Sequence, residues 1–274
     1  MHQGRADENE MKKSLCILLL ICVSLLAIPE RADAMDPATL AAQWKPLIYQ
    51  QNRLEKQDIK LNVSVPVDYD HDWRTNNNWY NFLFFPLQEA MYYSVVESET
   101  HYYIGYYQYY PRYTAGREQE HDFTGILLSV LKNAAEANPL EAVISYSNHH
   151  WEYRKGNSLC LKNNHPLVKI ASSSHEIDFI GKSNRNFQEK THNDYALVPL
   201  LDLWDRRQDI GPGRLFSQWG YFDSLNVRTV AAPWLWNYRT YNWLSKPEEL
   251  FKHIQGNSIF KVPYIANPYQ LIQD

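Results

Sequence analysis

The chain has 274 residues, of which 45% are hydrophobic and 21% charged. With 20 Tyr, 9 Trp and 10 Phe it carries too much aromatic surface for a solvated, disordered chain, and 10 Gly with 14 Pro excludes collagen-like and low-complexity classes. The net charge of −4 offers no basic field to nucleic acid.

The first segment reads as a leader. Met11-Lys12-Lys13 is a short positive region, the apolar run from Leu15 to Ile28 follows, Pro29 breaks it, and Ala32-Asp33-Ala34 supplies small residues before a cleavage point. This pattern is a secretory signal over residues 1–34, with 1–10 as a possible start-site extension. It predicts a secreted or periplasmic protein that begins near Met35 and keeps no transmembrane segment after cleavage, since the run is too short to span a bilayer as a helix. Cys16 and Cys22 leave with the leader. Cys160 alone remains, so no internal disulfide forms and stability rests on packing.

Residues 35–274 show no repeat and no Gly/Ser linker, and read as a single domain. A short helix opens it, with Asp36 as cap, Pro37 in the first turn and Leu40 and Trp44 on one face. Strands are expected at Leu61–Val65, Met91–Glu97, His101–Tyr110, Phe123–Leu131, Ala142–Ser147 and Leu167–Ala171, punctuated by Asn-rich turns. Near the end Ser245 and Glu248 suggest a capping box, and Leu250, Phe251 and Ile254 line one helix face. Short strands at this spacing predict a mainly β protein, an antiparallel β-sandwich of jelly-roll type with peripheral helices.

Chemistry gathers at Glu118-Gln119-Glu120-His121-Asp122-Phe123-Thr124-Gly125, where the apolar strand begins. Glu120 and Asp122 share strand parity and His121 faces the other way. Two carboxylates and an imidazole at a sheet mouth can hold a hard divalent ion such as calcium or magnesium, or act as acid and base, or form a solvated strand start. His175, just after Ser172-Ser173-Ser174 at a strand end, is a candidate to join them, and so is one of His149 and His150. Asp68-Tyr69-Asp70-His71-Asp72 lacks the Gly and distant Glu of an EF-hand and reads first as an Asx-stabilised turn. The tyrosine run that includes Tyr107 and Tyr109 could pack a core or offer a stacking wall to a sugar or head group. No nucleophile elbow, HExxH, P-loop or dinucleotide fingerprint is present.

The order of Val67-Asp68-Tyr69-Asp70-His71-Asp72-Trp73, Tyr107-Gln108-Tyr109-Tyr110-Pro111-Arg112, Gln119-Glu120-His121-Asp122-Phe123-Thr124-Gly125, His165-Pro166-Leu167-Val168 and Ala232-Pro233-Trp234-Leu235-Trp236 resembles the secreted bacterial and fungal relatives of the vacuolar protein sorting-associated protein 62 family. It is more distantly similar to the necrosis-inducing cytolysins. The resemblance spans roughly residues 60–240. It implies a β-sandwich with a divalent metal near the acidic strand mouth, where Glu120, Asp122 and Gly125 match. Gln119 and Thr124 stand where ligands are expected, and no Asp follows near Tyr113. A glycan or lipid head group is the expected partner. A metal-dependent hydrolase of phosphate or ester substrates, with Glu120, His121, Asp122 and His175 around the ion, and a structural envelope protein are the alternatives.

Overall fold

The computed structural model describes residues 35–50, 62–73, 75–115, 119–133, 138–148, 150–184, 191, 193–207, 209–210, 232–258 and 263–270, with Asn76, Gln119 and Glu120 described by backbone alone. The leader over 1–34 lies outside them. Pro37–Asp274 forms one compact unit.

Helix α1 (Pro37–Trp44) and strand β1 (Leu47–Gln50) lead to the main sheet. Its core is β2 (Ala90–Ser98), β3 (His101–Tyr113), β4 (Gln119–Leu131), β5 (Leu140–Ser147) and β6 (His150–Lys155), paired antiparallel in sequence order. A second sheet holds β1, β7 (Leu161–Lys162), β8 (His165–Ile170) and β9 (Ile177–Phe179). Strand β10 (Ala196–Pro199) joins β2 in parallel, and β1 joins β8 in parallel, so two edge pairings depart from the antiparallel rule. Short helices α2 (Asn78–Asn81), α3 (Leu200–Asp205) and α4 (Pro247–Ile254) and the hairpin β11 (Asn237–Tyr238) and β12 (Tyr241–Asn242) lie at the periphery, and β13 (Tyr264–Ala266) adds to β2. The expected β-sandwich with edge helices is the observed architecture.

Period-2 alternation on β3 and β4 builds two cores at once. Ile104, Tyr106, Ile126, Leu128 and Val130 face the second sheet and α1, with Leu40, Trp44, Ile48, Val168 and Phe179. Tyr103, Tyr107, Tyr109, Phe123 and Leu127 face the opposite way, against Trp234, Trp236, Trp243 and Phe251. Cover on both faces explains the near-continuous apolar run of β4.

Three local expectations differ. Residues 62–65 form no strand, although Val65 N–H donates to Tyr109 O at 3.0 Å. Ser245 does not cap α4; instead Asn242 Oδ1 accepts the N–H groups of Leu244 and Ser245 at 2.9 and 3.0 Å. Tyr107 and Tyr109 offer no stacking wall: both are fully buried, because the second layer covers that face. Tyr107 Oη accepts from Trp243 Nε1 at 3.0 Å and shares a hydrogen bond with Ser94 at 2.7 Å.

Gly125, paired with Tyr107 and Tyr146, lies under the Trp236 ring. A Cβ there would stand 2.5 Å from Trp236 and 3.2 Å from Tyr106 O. Tyr107 and Tyr146 hold that ring, with centroids 5.8 and 4.5 Å away, so it cannot simply step aside. Gly125→Ala is expected to cost about 1–3 kcal/mol, read as a lower urea midpoint with an unchanged slope.

Candidate functional site

Antiparallel register sets Tyr110 opposite Asp122 at the β3–β4 mouth. His175 arrives from the β8–β9 connection. That connection is shaped by left-handed backbone at Ser173 (φ 70) and His175 (φ 50), and by bonds from His175 N–H to Ala171 O at 3.0 Å and Ser173 N–H to Asn62 Oδ1 at 3.0 Å. His175 Nδ1 donates to Asp122 Oδ2 at 2.8 Å. Its ring lies flat on Tyr110, with centroids 3.6 Å apart and planes 4° apart, and meets the Tyr113 edge at 6.4 Å. Both Asp122 and His175 are buried. A carboxylate out of water is tolerated when it is paired in this way.

His121 points through the sheet to the other side. Its φ of 63 places a non-glycine residue in the left-handed region within a strand, a conformation that needs support from its surroundings. Support comes from Tyr109, whose ring stacks at 5.9 Å and whose hydroxyl lies 2.7 Å from His121 Nδ1. Asn78 Nδ2 can only donate, and does so to Tyr109 Oη at 2.9 Å, so the Tyr109 proton goes to Nδ1 and the imidazole is neutral. Burial pulls its pKa from 6.5 down to about 3.

On the Asp122 face, the Tyr110 hydroxyl, Gln108 Oε1 and Thr124 Oγ1 are buried and have no hydrogen-bond partner among the described residues. Burial, and then the charges of Asp122 and Glu89, push the Tyr110 phenol far up, so it stays protonated.

Of the expected site residues, Asp122 and His175 come together, while His121 is on the opposite face of the sheet. Glu120 pairs with Arg112 in the ladder and shares Asp122's parity, but its side chain lies outside the described residues, as does His149. His150 is exposed at the start of β6. For calcium or magnesium the described side chains do not suffice. No group of three His, Cys, Asp or Glu is placed to hold an ion among them, and the one carboxylate present already binds His175.

The Asp68–Asp72 loop is the Asx turn. Asp72 N–H donates to Asp70 Oδ1 at 3.1 Å, and Asn81 Nδ2 donates to Asp70 Oδ2 at 2.6 Å. It braces α2, where Arg112 is held between the rings of Trp79 and Phe82 at 4.1 and 3.9 Å and donates to Trp79 O.

Sequence reasoning missed a ledge of half-buried aromatics where β6 meets the β11–β12 hairpin. Trp151 touches Tyr146 at 4.9 Å and Tyr238 at 5.6 Å, and His253 continues the row to Tyr238 at 5.8 Å and Tyr241 at 4.9 Å. The alternating Trp151-Glu152-Tyr153-Arg154 was the available signal.

The chain matches no protein-family model and no curated protein. It is similar to several solved structures. The non-toxic HaNLP3 protein is 10% identical with a TM-score of 0.44, over 84% of this chain and 95% of that one. NLPPya in complex with mannosamine is 16% identical with a TM-score of 0.43, over 75% and 87%. Necrosis and ethylene inducing protein 2, from the causal agent of cocoa's witches' broom disease, is 14% identical with a TM-score of 0.40, over 65% and 85%. At this identity and overlap, no residue's role passes from them to this chain.

The neutral buried His121 makes a pH prediction. The unfolded imidazole binds a proton below 6.5 and the folded one only near 3, so the unfolded state holds the extra proton between those values. His121 therefore removes stability as pH falls from 6.5 toward 3. His121→Asn, which keeps a residue tolerant of positive φ, should flatten the fall of melting temperature over that window; an unchanged slope rejects this origin.

Proposed function

We propose that this is an exported β-sandwich that binds a glycan, with the β6 ledge as the contact surface. The half-buried row Tyr146–Trp151–Tyr238–His253–Tyr241 is the observation that carries it. Sugar rings present C–H faces that pack on aromatic planes, and the polar tips of Tyr and His supply hydrogen bonds to hydroxyls. The Glu152–Arg154 pair, 2.6 Å apart, lies with exposed His150 on the other face of the same strand and leaves the row itself to the aromatics. In this reading Asp122–His175 fixes the end of the sandwich from which the ledge starts. The reading also carries export through the 1–34 leader and the motif order similar to the vacuolar protein sorting-associated protein 62 relatives.

A lipid head group is the second reading, favoured by the loop after α2. Phe84 is 80% exposed and Leu83 41%, next to Tyr80 at 46% in α2, exposed apolar side chains close in sequence of the kind that enter a lipid interface. Among the described residues no helix is long and apolar enough to cross a membrane. Hydrolysis is less well supported, because Asp122 and His175 are both buried.

Glucosamine, mannosamine and a glycan array, each with and without EDTA, test the first reading by calorimetry. Trp151→Ala is expected to weaken binding at least tenfold, about 1.4 kcal/mol. Binding unaffected by that change rejects the ledge. The divalent cation, with Glu120 and Asp122 as its proposed ligands, is read separately: if it takes part, calcium or magnesium raises the melting temperature of the wild type and not of Asp122→Ala. Flotation with phosphatidylcholine vesicles tests the lipid reading, and Phe84→Asp should abolish it.

A further inference from the structure

We propose that β6 is a self-association edge, along which a second copy of this chain adds antiparallel to extend the main sheet across a two-fold axis. Among the described residues β6 pairs only with β5, so its outer row of N–H and C=O groups has no strand partner there. Such an edge invites pairing, and proteins usually blunt it with charged side chains, proline or bulges. This one has no proline, and the charges it carries, Glu152, Arg154 and Lys155, are of mixed sign and so can be matched by a second copy. Its sequence, His150-Trp151-Glu152-Tyr153-Arg154-Lys155, alternates opposite charges on one face with aromatics and a lysine on the other.

The register follows from geometry. Directly opposed residues in an antiparallel pair point to the same face, so a two-fold pairing must be centred on a residue. Centring on Glu152 sets two carboxylates against each other, and centring on Arg154 sets two guanidinium groups against each other. Centring on Tyr153 sets Glu152 opposite the partner's Arg154, twice per dimer. On the other face it sets Trp151 opposite the partner's Lys155, a cation over an indole, and Tyr153 against the partner's Tyr153. Opposed side chains in a ladder are close enough for each pair to contribute. Glu152 and Arg154 already bond within one chain at 2.6 Å, with Arg154 53% exposed, so the exchange to the partner costs little rearrangement. An isologous contact of this kind closes at two copies and does not propagate.

Six residues a side make a small interface, so the dimer is weak and concentration-dependent. Sedimentation velocity of the exported chain over a concentration series reads it directly. Wild type should pass from monomer to dimer. Arg154→Glu, which sets like charges together at both positions, should raise the dissociation constant at least tenfold. The double variant Glu152→Arg with Arg154→Glu should return it to within about threefold of wild type, since the swap restores both pairs. Near-ultraviolet circular dichroism confirms that the variants keep their fold. A wild type that stays monomeric throughout overturns the proposal. So does a dimer indifferent to Arg154→Glu, or a double variant no better than the single one. Carbohydrate titrations run at concentrations where the chain is monomeric read the ledge independently of this contact.

Discussion

Strands β3 and β4 are each 13 residues long and pair along almost their whole length, and the other features hang from that ladder. Its pleat sends alternate side chains into two different cores. Tyr106 and Ile126 pack toward the second sheet, while Tyr107 and Leu127 pack toward the tryptophan layer. A slip of one residue would exchange the two sets and place Asp122 among the tryptophans. The register is therefore held by volume on one side and by polarity on the other, and Gly125 shows how little slack remains where Trp236 presses on the strand.

The same alternation separates the two histidines at the mouth. His121 is a neutral acceptor for Tyr109, and His175 is a donor to Asp122, with the sheet between them. Each polar group sits in a dry place with one good partner, which makes both pairs specific rather than strongly stabilising. The Asp122–His175 bond joins the main sheet to the β8–β9 connection, a tie that apolar packing would leave free to slide. It also explains why His175 is held at positive φ: the turn must present the ring flat on Tyr110.

Much of the architecture was legible in sequence because β2, β3, β4, β5 and β8 are apolar or aromatic runs bounded by turn residues, and because Asn163-Asn164, with φ of 53 and 68, supplies the left-handed pair that a two-residue hairpin needs. The opposite facing of His121 and Asp122 was legible from the pleat of a strand. The fate of Tyr107 and Tyr109 was not. Alternation tells which residues share a face, not whether a second layer covers it, and the covering residues Trp236 and Trp243 lie more than a hundred positions away. The role of Asn242, which ties the turn ahead of α4 through Leu244 and Ser245, was hidden by the capping pattern that Ser245 and Glu248 present. The aromatic ledge was hidden because Tyr146, Trp151, Tyr238 and His253 each look ordinary until the hairpin brings them side by side.

The tryptophan layer has an optical consequence. Trp243 lies 5.3 Å from Trp236 and 5.4 Å from Trp151, and Trp204 lies 5.3 Å from Trp234, all at steep angles between their planes. Indole rings so close and so rigidly inclined couple their excited states and give strong paired bands of opposite sign. Those bands vanish as soon as the rings can rotate, before the strands separate. The protein thus carries its own reporter of core looseness, one that distinguishes a loosened sandwich from an unfolded chain without any added dye.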